Sequence, residues 1–151
     1  MSARREIRYQ GAIMRDGQVL LIRHRHHDDG RSYWLFPGGG IEPGETEFDC
    51  VCREMREETG LDVRVERLIF DEPYETHGVY QRRHMYLCTI LGGEAAPGYE
   101  PEPDAAAAYE IIEVRWFDLA DEAAWGDAAS DRFTGPELRR LRDSLSTDTA
   151  S

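Results

Sequence analysis

The chain is poor in the features that mark several large classes of protein. It has no basic surplus: 18 lysines and arginines face 30 aspartates and glutamates, a formal net charge of −12. Duplex nucleic acid and anionic membranes are recognised through a basic footprint, so neither is expected as a partner. No apolar run approaches the ~18 residues of a membrane span, and the opening "MSARREIRYQ" holds no apolar stretch of a signal peptide. A cytoplasmic location is the expectation. Cysteine is scarce, and Cys50, Cys52 and Cys88 are odd in number, which argues against a disulfide framework. Cys50 and Cys52 would point to roughly opposite sides of a helix and so would not chelate one ion. All three read as reduced, mostly buried thiols. There is no internal repeat and no domain boundary, so residues 1–151 read as one domain, large enough to bury about 70% of its unfolded surface.

What is present is a succession of short patterned segments. "IRYQGAIM" and "VLLIRH" flank "RDGQ", whose Asp16-Gly17 is a strong hairpin signal. The polar "HRHHDDGRS" follows, with histidines 24, 26 and 27 read as exposed loop residues, then an aromatic strand, "YWLF", stopped by Pro37 and three glycines. Between Thr46 and Thr59, Phe48, Cys52, Met55 and Thr59 recur at helical spacing as one apolar stripe, and Gly60 is placed to end the helix. "LDVRVERLIF", "VYQRRHMYLCTIL" and "EIIEVRWF" read as strands. "GGEAAPGYEPEPDAAAAY" is longer than most connections in a compact domain, hence functional or mobile. "TGPELRRLRDSL" opens with Thr134 and Glu137 as a capping box before a final helix, and the tail from about 146 to 151 is expected to fray. This order of strands and helices predicts an α/β fold, a mixed β-sheet sandwiched between α-helices.

The helix poses a problem. Glu54, Glu57 and Glu58 fall within about 100° of arc on the helical wheel, although like charges at such spacing repel. A solvated charged face is one reading. The other is a site for a hard divalent cation, which prefers oxygen ligands and leaves positions open for water and substrate phosphates. "LFPGGG" just upstream adds a glycine turn whose carbonyls could reach the same ion. Glu45 and Arg53 are spaced to pair across the loop and fix its shape. A negative chain can then still take a phosphorylated small molecule, because the cation stands between the charges.

Gly39, Glu45, Arg53, Glu54, Met55, Glu57, Glu58, Gly60 and Leu61 match every specified position of the Nudix box, and the chain resembles the Nudix (MutT-like) hydrolase family. Residue types at background frequencies of about 5–8% make an accidental match in one window on the order of 10⁻⁹. The resemblance implies hydrolysis of a phosphoanhydride in a nucleoside diphosphate linked to another moiety, with Mg²⁺ or Mn²⁺ as cofactor. It implies that Glu54, Glu57 and Glu58 hold the metal, with Glu54 or a neighbour as general base and the Gly38 carbonyl as a further ligand. Arg53 and Glu45 would orient the catalytic loop. Family members often add an acid from a later loop, for which Glu110 is the candidate, with Glu113, Asp104 and Glu102 behind it. Arg23 and Arg25, in the basic cluster "RHRHH", are candidates for the substrate phosphates; Arg82, Arg83 and His84 form a second basic group. Trp34 or Phe36 is a candidate to stack a base, although aromatics ahead of a glycine turn are commonly core. A nucleotide-type small molecule is the expected partner, and a homodimer is an assembly the resemblance allows.

Residues beyond the box narrow the substrate. The proline of ADP-ribose hydrolases would fall at His77, and Pro73 is too early. The tyrosine of dinucleoside polyphosphate hydrolases is approached by Tyr80 without a match in spacing. The coenzyme A and NADH pyrophosphatase signatures are absent. A nucleoside triphosphate pyrophosphohydrolase remains as the default, with hydrolysis of ADP-ribose, nucleotide sugars or dinucleoside polyphosphates as alternatives. A nucleotide-sensing binding module that does not cut is the competing class, although the box is intact. A prenyl diphosphate isomerase would need a catalytic cysteine that Cys88 alone does not supply.

Overall fold

The computed structural model describes residues 6–74, 80–99, 106 and 108–150. Strands β1 (Ile7–Arg15) and β2 (Gln18–His26) form the expected hairpin. Its turn residues Asp16 and Gly17 both have positive φ, 52° and 79°, the twist that joins right-handed strands most easily. The two strands pair only next to the turn, at Met14↔Val19 and Arg15↔Gln18. From Ile22 onward the same edge of β2 is taken by β3 (Ser32–Leu35), while β7 (Tyr109–Asp118) runs along the whole of its other edge. β1 diverges and pairs in parallel with β6 (Arg82–Gly93), which in turn pairs with β5 (Leu61–Pro73). The sheet therefore splits into two wings that open away from the hairpin turn.

The chain crosses between the wings at the glycines. After Phe36 and Pro37 it pairs with β1 as the two-residue strand β4 (Gly38–Gly39), and the Gly11 amide donates to the Pro37 carbonyl at 3.1 Å. No side chain fits there: a β-carbon on Gly38 would stand 2.3 Å from the Tyr9 carbonyl oxygen. Helix α1 (Glu47–Thr59) packs on one side of the sheet, over Tyr9, Ile13, Leu20, Val63 and Tyr86. A short helix α2 (Asp127–Ser130) and the long α3 (Thr134–Ala150) cover the other, over Ala12, Trp34, Phe36 and Phe117. This is the mixed sheet between helices that the segment order predicts. Among the described residues no helix is long and apolar enough to cross a membrane. The three cysteines are free, and burial pushes the Cys50 and Cys88 thiols up to about 12, so they stay protonated.

Three local readings change. The buried stripe of α1 is Cys50, Val51, Met55 and Thr59, whereas Phe48 is 47% exposed and only meets Tyr86 edge-on. Glu54 and Glu58 are buried beside that stripe, because the helix has a second contact, with β4, where glycines leave room for carboxylates. The start of α3 is capped by Asp131, whose Oδ1 accepts from the Phe133 and Thr134 amides. The Thr134 hydroxyl instead donates to the Trp34 carbonyl, and Glu137 turns inward to Arg83, so the anticipated capping box does not form. Helical backbone runs from Thr134 to Ala150.

The C-terminus of α1 is closed twice. Gly60 adopts the left-handed conformation and its amide bonds the Arg56 carbonyl. The amides of Ala96, Gly98 and Tyr99 then donate to the carbonyls of Thr59, Glu58 and Glu57, at 2.9–3.0 Å, satisfying acceptors that a helix end leaves open. A β-carbon at Gly98 would lie 1.8 Å from the Glu57 carbonyl oxygen. Gly98→Ala should therefore detach this segment, at a cost of about 1–3 kcal/mol, or a few degrees in Tm for a chain of this size. Hydrogen exchange at residues 96, 98 and 99 should accelerate in step; unchanged protection and Tm would contradict the assignment.

Candidate active site

The acids of α1 are organised around one guanidinium. Arg53 donates from Nε to Glu45 Oε2 at 2.6 Å and from Nη2 to Glu45 Oε1 at 3.0 Å, a bidentate pair, and Nη2 also reaches the Gly40 carbonyl at 3.1 Å. Its Nη1 stands 3.3 Å from Glu54 Oε2, 3.1 Å from Glu57 Oε1 and 3.6 Å from Glu42 Oε1. The hydrogen bond from Arg53 holds the Glu45 carboxyl below its ordinary range, and pairing with Glu45 raises the guanidinium further above its own. The expected Glu45–Arg53 pair is thus present, and it extends into the acidic face.

Glu54 and Glu58 are buried against β4. A β-carbon on Gly39 would be 2.1 Å from Glu54 Oε2, so the glycine is a cradle for that carboxylate. The Gly38 amide donates to Glu58 Oε1 at 2.8 Å, tying strand to helix. Glu57 uses Oε1 on Arg53, while its Oε2 is buried with no hydrogen-bond partner among the described residues. Buried, clustered carboxylates are the donor chemistry of a hard divalent cation, and Mg²⁺ is usually held by only one or two of them. The described side chains gather no three acidic, histidine or cysteine groups around a single point, since Arg53 lies among the carboxylates as their counter-charge. On donor type and on the unpartnered Glu57 oxygen, the residues fit such an ion.

The other sequence-derived candidates fall elsewhere. Alternation along β2 sends Arg23 and Arg25 to one face and His24 and His26 to the other. Arg23 donates to Ser32 Oγ at 2.9 Å, lies 3.6 Å from Glu113 and sits over the Trp34 ring; Arg25 pairs with Glu110 at 2.8 Å. Trp34 is 3% exposed, packed edge-on against Phe117 in the core, and cannot serve as an open stacking platform. Glu110 is engaged by Arg25 at 2.8 Å and by His27 at 3.6 Å. Arg83 is buried between Glu72 and Glu137, and His84 stands between Glu47 and Asp71. Glu102, Asp104 and His77 lie outside the described residues.

It is the histidine face of β2 that opens on a cavity. A space of about 670 Å³ lies where β1 and β2 have parted, lined by Arg8, His24, Tyr33, Tyr74, Tyr80 and Tyr109 among others. That is within the usual range for small-molecule sites. Histidines 24 and 26 belong to the strand, and His24 is buried, so the reading of all three as exposed loop residues is corrected. Burial, with Arg8 and His26 nearby, drives the His24 pKa down to about 3. Arg8 joins the cavity to the acids: its Nη2 donates to the Phe36 carbonyl at 2.9 Å, and although burial opposes its charge, Tyr74, Tyr80 and Glu58 close by keep it charged. Sequence reasoning passed over Arg8; its signal was a charge inside the apolar run "IRYQGAIM".

The family profile described as NUDIX domain matches residues 6–135. The chain belongs to the Nudix family. Among curated relatives, the NAD-capped RNA hydrolase NudC of Vibrio atlanticus is 31% identical over 108 residues, 72% of this chain and 35% of that protein. The putative mutator protein MutT4 of Mycobacterium tuberculosis is 32% identical over 138 residues, 89% of this chain and 52% of that one. A solved NUDIX hydrolase from Nitrosomonas europaea superposes with a TM-score of 0.72 over 95% of this chain and 89% of its own at 18% identity, a likeness of fold. This Nudix chain spans about a third to a half of those two curated relatives. The acidic helix and glycine strand described above are its Nudix box.

With Arg53 as the counter-charge of this box, Arg53→Met should cost roughly 3–5 kcal/mol, the range for removing one partner of a buried ion pair. Glu45, with its pKa lowered in the folded state, contributes stability above its ordinary value of 4.5 and loses it as the pH falls below. The Tm gap between wild type and variant should therefore narrow as the pH drops from about 7 to about 3; a constant gap would show that the pairing carries little.

Proposed function

We propose that the chain is a divalent-metal-dependent pyrophosphohydrolase that cuts a phosphoanhydride bond in a nucleotide, with a nucleoside triphosphate as substrate. The observation that carries this is the buried carboxylate cluster of α1, seated on a glycine cradle, with an unpartnered Glu57 oxygen and with Arg8, which lines a cavity of ligand size, near Glu58. Buried carboxylates are costly unless paired, and after Arg53 and the Gly38 amide are counted the Glu57 Oε2 still has no partner among the described residues.

In this reading Glu54, Glu57 and Glu58, with the Gly38 carbonyl, hold Mg²⁺ or Mn²⁺. The bound ion would neutralise phosphate oxygens and lower the pKa of a bound water. The chain's own residues do the positioning. Glu45 fixes the guanidinium of Arg53, and Arg53 aligns Glu54 and Glu57 along the helix face. The Gly38 amide orients Glu58. Glu57, whose Oε2 is buried and unpartnered among the described residues, would accept the proton of the attacking water, with Glu54 beside it as the alternative. Glu110 enters only if Arg25 releases it. NAD contains a nucleoside phosphoanhydride, so the name of the Vibrio relative agrees in bond type.

The test is Mg²⁺-dependent release of phosphate or pyrophosphate from nucleoside triphosphates, canonical and oxidised, beside ADP-ribose, nucleotide sugars and dinucleoside polyphosphates. Turnover should be confined to one class, abolished by chelator and reduced on the order of 10²-fold or more by Glu57→Gln. Turnover of ADP-ribose, nucleotide sugars or dinucleoside polyphosphates alone would move the substrate assignment. Silence across all of them, with nucleotides still raising Tm, would make the chain a binding module.

A further inference from the structure

The sheet ends on one side at β7, a ten-residue strand that pairs with β2 along one edge. Among the described residues no strand takes its other edge. A long strand with unpaired backbone groups is a template for another strand, and native proteins rarely leave one bare. The other long terminal strand, β5, is broken by three register shifts, and the Cys52 thiol donates to its Val63 carbonyl at 3.4 Å. β7 has a single shift, opposite Arg23 and His24, and is regular from Glu113 to Asp118. Along it Ile112, Val114 and Trp116 are partly exposed, with Val114 and Trp116 resting on the core beneath α1. Arg15 lies over the Trp116 ring at 4.1 Å. By alternation Glu113 and Arg115 stand on the opposite face, where they hold each other at 3.1 Å and both side chains are open to solvent. The strip is apolar on one face and neutral on the other, in a chain whose net charge of −12 repels its own copies.

We propose that β7 pairs antiparallel with β7 of a second copy of this chain, about a two-fold axis through Val114. An axis that joins two antiparallel strands into one sheet keeps each face on its own side, so it passes through a residue. Residue i then faces j while j faces i. Charge selects which residue. Axes through Glu113 or Arg115 set like charges side by side, whereas the axis through Val114 sets Glu113 opposite Arg115 twice. The same axis sets Ile112 opposite Trp116 twice and Val114 against itself. The strip therefore specifies its own register. Edge amides and carbonyls gain partners, and a contact this short gives a weak, concentration-dependent dimer. Nothing in this depends on whether the chain hydrolyses nucleotides.

The experiment is sedimentation of the full chain over a concentration range of about 1 to 300 µM, in which monomer should pass to dimer. Glu113→Arg and Arg115→Glu should each weaken self-association about tenfold or more, because each sets like charges opposite one another at two places. Mixed one to one, the two variants should associate with each other about as wild type does, since each supplies the charges the other lacks. A purely structural role for either residue would not be rescued by mixing. Monomer throughout the range, a dimer that either variant leaves intact, or variants that fail to combine would each overturn the proposal. If a variant does not fold, hydrogen exchange on the wild type decides alone. Protection of the amides of residues 112–116 should rise with the dimer fraction, and unchanged protection would overturn the pairing.

Discussion

Arg53 among the glutamates is the interaction on which the site depends. A helix carrying three acids within a turn and a half would repel itself, and two of those acids are buried. One side chain answers most of the charge: it is bidentate to Glu45, reaches Glu54, Glu57 and Glu42, and holds the Gly40 carbonyl. Only a guanidinium has enough donors in a fixed plane to do so; an ammonium has three, from one point. The chain contains no lysine at all, and every cation it uses is an arginine.

The second constraint is the absence of side chains at β4. Gly38 and Gly39 let β1 and α1 approach until the Tyr9 carbonyl and the Glu54 carboxylate occupy the space a β-carbon would need. The same crossing strand lets β1 and β2 part after two residue pairs. Site and cavity thus have one structural origin. The acids gather where the chain crosses from one wing to the other, and the cavity forms where the wings diverge. Docking of residues 96–99 on the carbonyls of residues 57–59 closes the far end of the same helix.

Much of this was legible in order along the chain. The Asp16-Gly17 turn, the strand segments, the stop at Gly60 and the Glu45–Arg53 pair all depend on local chemistry or short spacing, and the structure carries each of them. The box motif identified the family because its residue types are few and closely spaced. Direction was not legible: strand alternation alone does not say that Trp34 is core, or that Arg23 and Arg25 pair with Glu113 and Glu110.

What the sequence determined by itself, then, was the kind of elements, their order and the acidic helix with its arginine. Tertiary structure alone decided which face of β2 meets the cavity, because a strand alternates by one residue and nothing local says which side will be enclosed. It alone decided that Glu54 and Glu58 are buried, since that follows from glycines on another strand. And it alone brought the Arg8 guanidinium near His24, on two hairpin strands that part after the turn. Periodicity reports which residues share a face; only packing reports what that face encounters.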